Sequence, residues 1–155
     1  MRALVQRVSR ASVWVNSKEN SSIKLGIVIL LAIGKDDSVA DVSYIVEKVA
    51  NLRIFPDDTG KFDQSAIDIK AELLLVSQFT LYADTRRGRR PSFSNAAPAH
   101  FANELFQKTV NQFRNLNLIT RTGIFQETMS VELVNEGPVT IWIDSKDKDM
   151  PRKSA

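Results

Sequence analysis

The run Ile23–Ile33 limits what this chain can fold into more than any other stretch. Ile23, Leu25, Ile27, Val28, Ile29, Leu30, Leu31, Ala32 and Ile33 leave only Lys24 and Gly26 as breaks. A strand with apolar side chains on both faces needs cover on both faces, so the run predicts a strand held inside a layered sheet. It is far shorter than the ~18 apolar residues that suggest a membrane-spanning helix. No other apolar run is longer.

The segments around it supply the cover. Ala3, Val5, Val8, Ala11, Val13 and Val15 recur mostly at period two, with a slip between Val5 and Val8 that predicts a bend or bulge in a first strand. Asn16 to Ser22 is polar and reads as the turn of an opening hairpin. Ser38 followed by Asp41 is a capping-box pattern, and Val42, Ile45, Val46 and Val49 form the stripe of an amphipathic helix ending near Asn51. Leu52–Phe55 reads as a short strand closed by the turn-rich cluster Pro56–Gly60, and Ala71–Leu81 as a longer strand. Pro98 suits the first turn of a second helix with Ala102, Leu105, Phe106, Val110 and Phe113 on its core face. Ile119–Thr122, Met129–Val134 and Val139–Asp144 complete the strands.

The expected fold is therefore a β-rich α/β single domain, with a mixed, mainly antiparallel sheet or barrel-like core and two main helices. A length of 155 residues, 43% of them hydrophobic, suits one core. The domain is expected over 1–145, with 146–155 as a charged, frayed tail. The first 15 residues carry Arg2, Arg7 and Arg10 among their apolar positions, unlike a secretory signal, so a soluble cytoplasmic protein is expected.

Composition removes much chemistry at once. Without cysteine there is no disulfide, thiolate nucleophile or zinc–thiolate site. His100 is the only histidine, and its place at a helix start favours a surface role over a base. Asp36, Asp37, Asp57 and Asp58 sit in turns, where solvated turn chemistry competes with metal binding. No metal or cofactor is expected.

Three stretches remain. Ser77-Gln78-Phe79-Thr80-Leu81 ends a buried strand in hydrogen-bonding side chains; alternation places Ser77, Phe79 and Leu81 on one face and Gln78 and Thr80 on the other, with Ser77 and Thr80 either cross-strand hydrogen bonders or part of a rim whose N–H groups meet a substrate. Arg86, Arg87, Arg89 and Arg90 flank Gly88, dense enough in charge for phosphate yet also compatible with a solvated loop. Gly137-Pro138 interrupts two alternating segments and reads as a hairpin-like corner with exposed carbonyls.

Taken together, Met1-Arg2-Ala3-Leu4-Val5-Gln6-Arg7-Val8, Asn51–Phe55, Ser77–Tyr82, Gly88–Phe93 and Asn135-Glu136-Gly137-Pro138-Val139-Thr140 resemble the D-aminoacyl-tRNA deacylases. The resemblance covers nearly everything before the tail. It implies a homodimeric hydrolase that cleaves the ester joining a D-amino acid to tRNA, with possible action on mischarged glycyl-tRNA. It further implies a cis bond before Pro138, and a loop reaching the active site of the partner subunit. The carbonyls of Gly137 and Pro138 would then exclude L substrates, and Arg7 would support the loop. Backbone N–H groups of Phe79 and Thr80 would stabilise the oxyanion beside Gln78 and Ser77, with the substrate's ribose 2′-hydroxyl assisting the water. Phe125 and Met129 would line the adenosine pocket, and the four arginines would approach tRNA phosphate. A non-catalytic RNA-binding module is the alternative, and a purely structural dimerisation domain a third reading.

Overall fold

β1 (Arg2–Val15) meets partners along both edges. The structure, a computed structural model, describes residues 1–86 and 88–150. After β1, Asn16 and Ser17 take φ values of 49° and 61°, the pair of positive angles that lets a two-residue loop match the twist of its strands. The chain returns as β2 (Lys18–Ile23) and β3 (Gly26–Ala32) along one edge of β1, with Ala11 opposite Ile23 and Val8 opposite Gly26, and the β2 register shifts once, between Val13 and Trp14. The polar stretch expected as a turn is thus mostly strand. Its backbone pairs while its side chains face solvent, so polarity gave no sign of pairing.

β8 (Ser130–Asp144) runs antiparallel along the other edge, from Arg2 opposite Asp144 to Trp14 opposite Ser130. β6 (Glu72–Ser77) lies parallel to β3, and β7 (Thr120–Thr122) parallel to β6. Parallel neighbours need long crossovers; α1 (Val39–Asn51) lies on the first and α3 (Ala99–Asn115) on the second. Asn20 Nδ2 and Ser21 Oγ donate to the Thr122 carbonyl at 2.9 and 2.8 Å, bringing β2 round to β7 and nearly closing the sheet into a barrel.

One face packs against the helices through Ala3, Val5, Ile27, Ile29, Leu31, Ile45, Val49, Phe106 and Phe113, and the other encloses Val8, Ala11, Val13, Val28, Leu74 and Val76. β3 is buried on both faces, as its apolar run requires. The slip between Val5 and Val8 is a change of face, because pairing with β3 is unbroken from Arg2 to Val8. Register shifts occur instead on the β8 side, around Val8.

Ser38 and Asp41 form the expected capping box of α1. Ser65 and Asp68 form another at the short α2 (Ala66–Ile69), a third helix beyond the two expected. The short strand expected at Leu52–Phe55 begins only at Phe55: β4 (Phe55–Pro56) pairs with β5 (Phe62–Gln64) as a small separate hairpin.

Charge is buried where the chain closes on itself. The Met1 ammonium, fully buried, pairs with Asp37 and donates to Ser145 Oγ at 2.7 Å. Ser145–Asp149 form a 3₁₀ turn in place of a frayed start to the tail, and Lys148 Nζ reaches Asp41 Oδ1 at 2.8 Å. Residues 151–155 lie outside the described residues. Burial alone would raise the Asp41 carboxyl, but hydrogen bonds from Lys148, Ser145 and Ser38 outweigh it and hold the group well below its ordinary value of 3.8. A depressed carboxylate contributes stability that is complete above the ordinary value and lost as pH falls through and below it. Asp41→Asn should therefore be less stable than wild type at pH 7. It should lose less further stability than wild type between pH 5 and about 2.5, as measured by urea unfolding across that range.

Candidate active site

The parallel strands β3 and β6 end side by side, and the space beyond the carboxyl ends of parallel strands is where α/β folds leave room for ligands. Here it is a pocket of about 540 Å³. Ile33, Val76 and Ser77 form its floor, Ala97, Ala99 and Ala102 one wall, and Phe125, Gln126, Glu127 and Met129 another. Small residues on the α3 side leave the volume open. The Ala97 N–H donates to the Ile33 carbonyl at 2.9 Å and fixes that wall to β3, while Phe125 leans on Phe106 of α3 with ring centroids 6.0 Å apart.

The strand expected to run to Leu81 stops at Ser77. The Gln78 N–H makes a last bond to the Leu31 carbonyl at 2.8 Å, and β3 itself ends one residue later. With no further ladder, Phe79–Tyr82 tighten into a 3₁₀ turn in which the Leu81 N–H donates to the Gln78 carbonyl at 3.1 Å. Ser77, Phe79 and Leu81 therefore do not share a sheet face. Helical turns leave their first N–H groups without internal acceptors, and among the described residues neither the Phe79 nor the Thr80 N–H has one. Thr80 Oγ1 accepts a hydrogen bond from Gln78 Nε2, a donor that cannot take its proton. Phe79 stands exposed at the rim, edge-on to Phe93 at 5.0 Å.

Arg2 and Asp37 hold this turn from behind. Arg2 donates to the Leu81 carbonyl at 3.0 Å and to Asp144 at 3.1 Å, with its guanidinium 4.4 Å from the Tyr82 ring centre. Burial first, then the Asp37 and Asp144 carboxylates, push the Tyr82 hydroxyl above its ordinary range, so it stays protonated.

Gly137-Pro138 is not the turn of a hairpin. The segments on either side both pair with β1, Asn135 opposite Val8 and Thr140 opposite Gln6, so Glu136 to Val139 face Arg7 alone and form a bulge, with Val139 buried in the core. Asn135 closes the base of this bulge, accepting from the Val139 N–H and donating to Thr140 Oγ1, both at 2.9 Å. The Gly137–Pro138 bond is cis. Arg7 is buried behind the bulge; its Nε donates to the Glu136 carbonyl at 3.2 Å and its NH1 to the Ile54 carbonyl. Neither Arg7, Gly137 nor Pro138 lines the pocket of its own chain.

The basic loop leaves the pocket rim directly after the 3₁₀ turn and is clasped at its base by paired Asp84 and Ser92 backbones, at 2.7 and 2.9 Å. Arg86 is tied to Asp84 at 2.6 and 2.9 Å, and that contact draws the Asp84 carboxyl down to about 2. Arg89 and Arg90 are exposed without an acidic partner among the described residues. Arg87 lies outside the described residues. His100 is exposed beside Glu104 at 3.7 Å. Among the described residues no cluster of histidine and carboxylate groups could hold a metal, and no helix is long and apolar enough to cross a membrane.

The pocket thus gathers Ser77, Gln78, Phe79, Phe125 and Met129 from distant parts of the sequence, with Thr80 beside it. Gln126 and Glu127 join them unforeseen, as polar loop residues whose position only the fold decides.

Residues 4–144 match the family described as D-Tyr-tRNA(Tyr) deacylase. A D-aminoacyl-tRNA deacylase of Roseiflexus sp. (strain RS-1) is 53% identical over 152 residues, covering 98% of each chain. Another, of Thermosipho africanus (strain TCF52B), is 51% identical over 146 residues, or 94% of this chain and 98% of the relative. A solved structure described as c-Myc DNA Unwinding Element Binding Protein has a TM-score of 0.87 at 38% identity, covering 93% of this chain and 98% of that one. A probable eukaryotic D-amino acid tRNA deacylase shares the fold, with a TM-score of 0.82 at 16% identity over 92% and 97% of the two chains.

At Gly137, φ is +123°, and an added Cβ would lie 2.8 Å from Val139 Cγ2 and 3.0 Å from Arg7 NH2. Gly137→Ala should cost about 1–3 kcal/mol of unfolding free energy in urea, because both the backbone angle and the Arg7 contact must give way.

Proposed function

The chain belongs to the D-Tyr-tRNA(Tyr) deacylase family, and on that premise we propose how its pocket and its Gly137-Pro138 bulge divide the work of a D-aminoacyl-tRNA deacylase. The enzyme is a hydrolase of the ester between a D-amino acid and tRNA. The observation that carries the reading is the pair of uncommitted N–H groups, Phe79 and Thr80, beside a pocket that holds Phe125 and Met129.

In this reading the terminal adenosine rests against Phe125 and Met129, and the ester carbonyl lies at the 3₁₀ turn near Gln78 and Ser77. Water adds to the carbonyl carbon, the two N–H groups receive the developing oxyanion, and the bond to the ribose oxygen breaks as that oxygen takes a proton. The substrate's ribose 2′-hydroxyl assists the water. Thr80 is no nucleophile, because its hydroxyl faces an amide donor and no base.

A second copy of the chain supplies the chiral gate. β8 has no partner on its outer edge among the described residues, and along it Val134, Trp142 and Glu136 to Pro138 of the bulge are exposed. Unpaired edges invite pairing. The absence of Arg7, Gly137 and Pro138 from their own pocket supports action across a dimer. There the carbonyls of Gly137 and Pro138 occupy the space an L side chain needs. Such a gate rejects by steric clash, so D side chains of many kinds pass, and glycine, with no side chain, is not rejected by this route.

Arg89 and Arg90 meet tRNA phosphate beside the pocket, with Arg86 engaged by Asp84; the cytoplasm, where tRNA is charged, is the proposed location. Two outcomes test these roles. Thr80→Ala should keep single-turnover hydrolysis of D-tyrosyl-tRNA within about tenfold of wild type, and a loss of several orders of magnitude in a folded variant would refute the water mechanism. Replacing Arg89 and Arg90 together by alanine should lower the slope of log binding constant against log salt by about 1.4 to 1.8, with a smaller change for Arg86→Ala.

A further inference from the structure

Arg7 links the β4–β5 hairpin to the back of the Gly137-Pro138 bulge, and the hairpin's most exposed large hydrophobic side chain takes part. Phe62 of β5 is 56% exposed, yet the Arg7 guanidinium lies 5.2 Å from its ring centre. Immediately before β4, the Ile54 carbonyl accepts from Arg7 NH1. On the bulge side Arg7 meets the Glu136 carbonyl at 3.2 Å and the Glu136 carboxylate at 3.8 Å. Arg7 itself is only 6% exposed.

A guanidinium taken out of water needs its edge donors satisfied and its faces covered. Carbonyls and carboxylate serve the edge. The Phe62 ring covers a face, and cation–π attraction grows as the cation is desolvated. Arg7 is in turn the side chain against which Gly137 packs, since a Cβ at Gly137 would approach Arg7 NH2 to 3.0 Å. A steric gate tolerates little displacement of its carbonyls.

We propose that Phe62 is a positioning residue for chiral selectivity: its ring fixes the Arg7 guanidinium, and through it the Gly137 and Pro138 carbonyls. This rests on the reading of those carbonyls as the gate. The hairpin's own anchors, Phe55 pairing with Gln64 and Arg53 with Asp63 at 2.7 Å, keep the ring over the cation.

The test compares ester loss from D- and L-tyrosyl-tRNA for Phe62→Leu, which keeps apolar bulk without a π face, and Phe62→Tyr, which keeps the face. Phe62→Met replaces the leucine variant should that one fail to fold. Phe62→Leu should narrow the D-over-L ratio of kcat/KM by about three- to tenfold, while Phe62→Tyr holds the wild-type ratio. A ratio unchanged in Phe62→Leu, or lost equally in Phe62→Tyr, overturns the proposal. Gly137→Ala separates the two levels. If it alone collapses the ratio, the gate stands and the role of Phe62 falls; if neither Gly137→Ala nor Phe62→Leu moves the ratio, the gate reading falls and the proposal with it.

Discussion

Pairing along both edges of β1 is the constraint on which the rest of the molecule depends. β2 and β3 hold one edge and β8 the other, and registry resumes on either side of Arg7. The four residues from Glu136 to Val139 cannot be absorbed opposite one residue, so the ladder is interrupted there and Glu136 to Pro138 are exposed while Val139 turns into the core. Asn135 closes the bulge at its base and Arg7 braces it from behind, so an irregular segment becomes a fixed one. The same strand begins at the buried Met1 ammonium and carries Arg2, which braces the 3₁₀ turn at the pocket. Both the pocket turn and the bulge are therefore referenced to one strand.

The pocket follows from a second property of the sheet. β3 and β6 are parallel, so their carboxyl ends coincide, and the crossover helix α3 begins where they end. The chain must leave β6 there with backbone donors that the sheet no longer uses. A site built from such groups suits a sequence with one exposed histidine and no cysteine, because it asks the side chains for shape more than for acid–base chemistry.

Buried or part-buried charge is found where segments separated in the sequence meet. Met1 with Asp37, Asp41 with Lys148, and Arg7 with Glu136 each join distant segments. Such pairs contribute more by fixing one arrangement than by net stabilisation, since desolvation offsets much of their attraction. Their positions agree with that role, at the base of the 3₁₀ turn, at the chain's last described turn and behind the bulge.

The sequence by itself determined the elements whose signal is local: the apolar run of β3, the capping box and stripe of α1, the core face of α3, and the motifs at Ser77–Thr80 and Gly137-Pro138. These were legible because periodicity and capping depend on neighbours within a few residues. Tertiary structure decided the rest. Lys18–Ser22 became strand because β1 offered an edge, Phe79–Tyr82 became a 3₁₀ turn because β3 ran out, and Gly137-Pro138 became a bulge because both its flanks pair with β1. Gln126 and Glu127 entered the pocket, and Phe62 came to lie over Arg7, through contacts that no spacing encodes. Pairing partners and register are set by which edges remain free once the whole sheet has formed, and that is a property of the assembled chain.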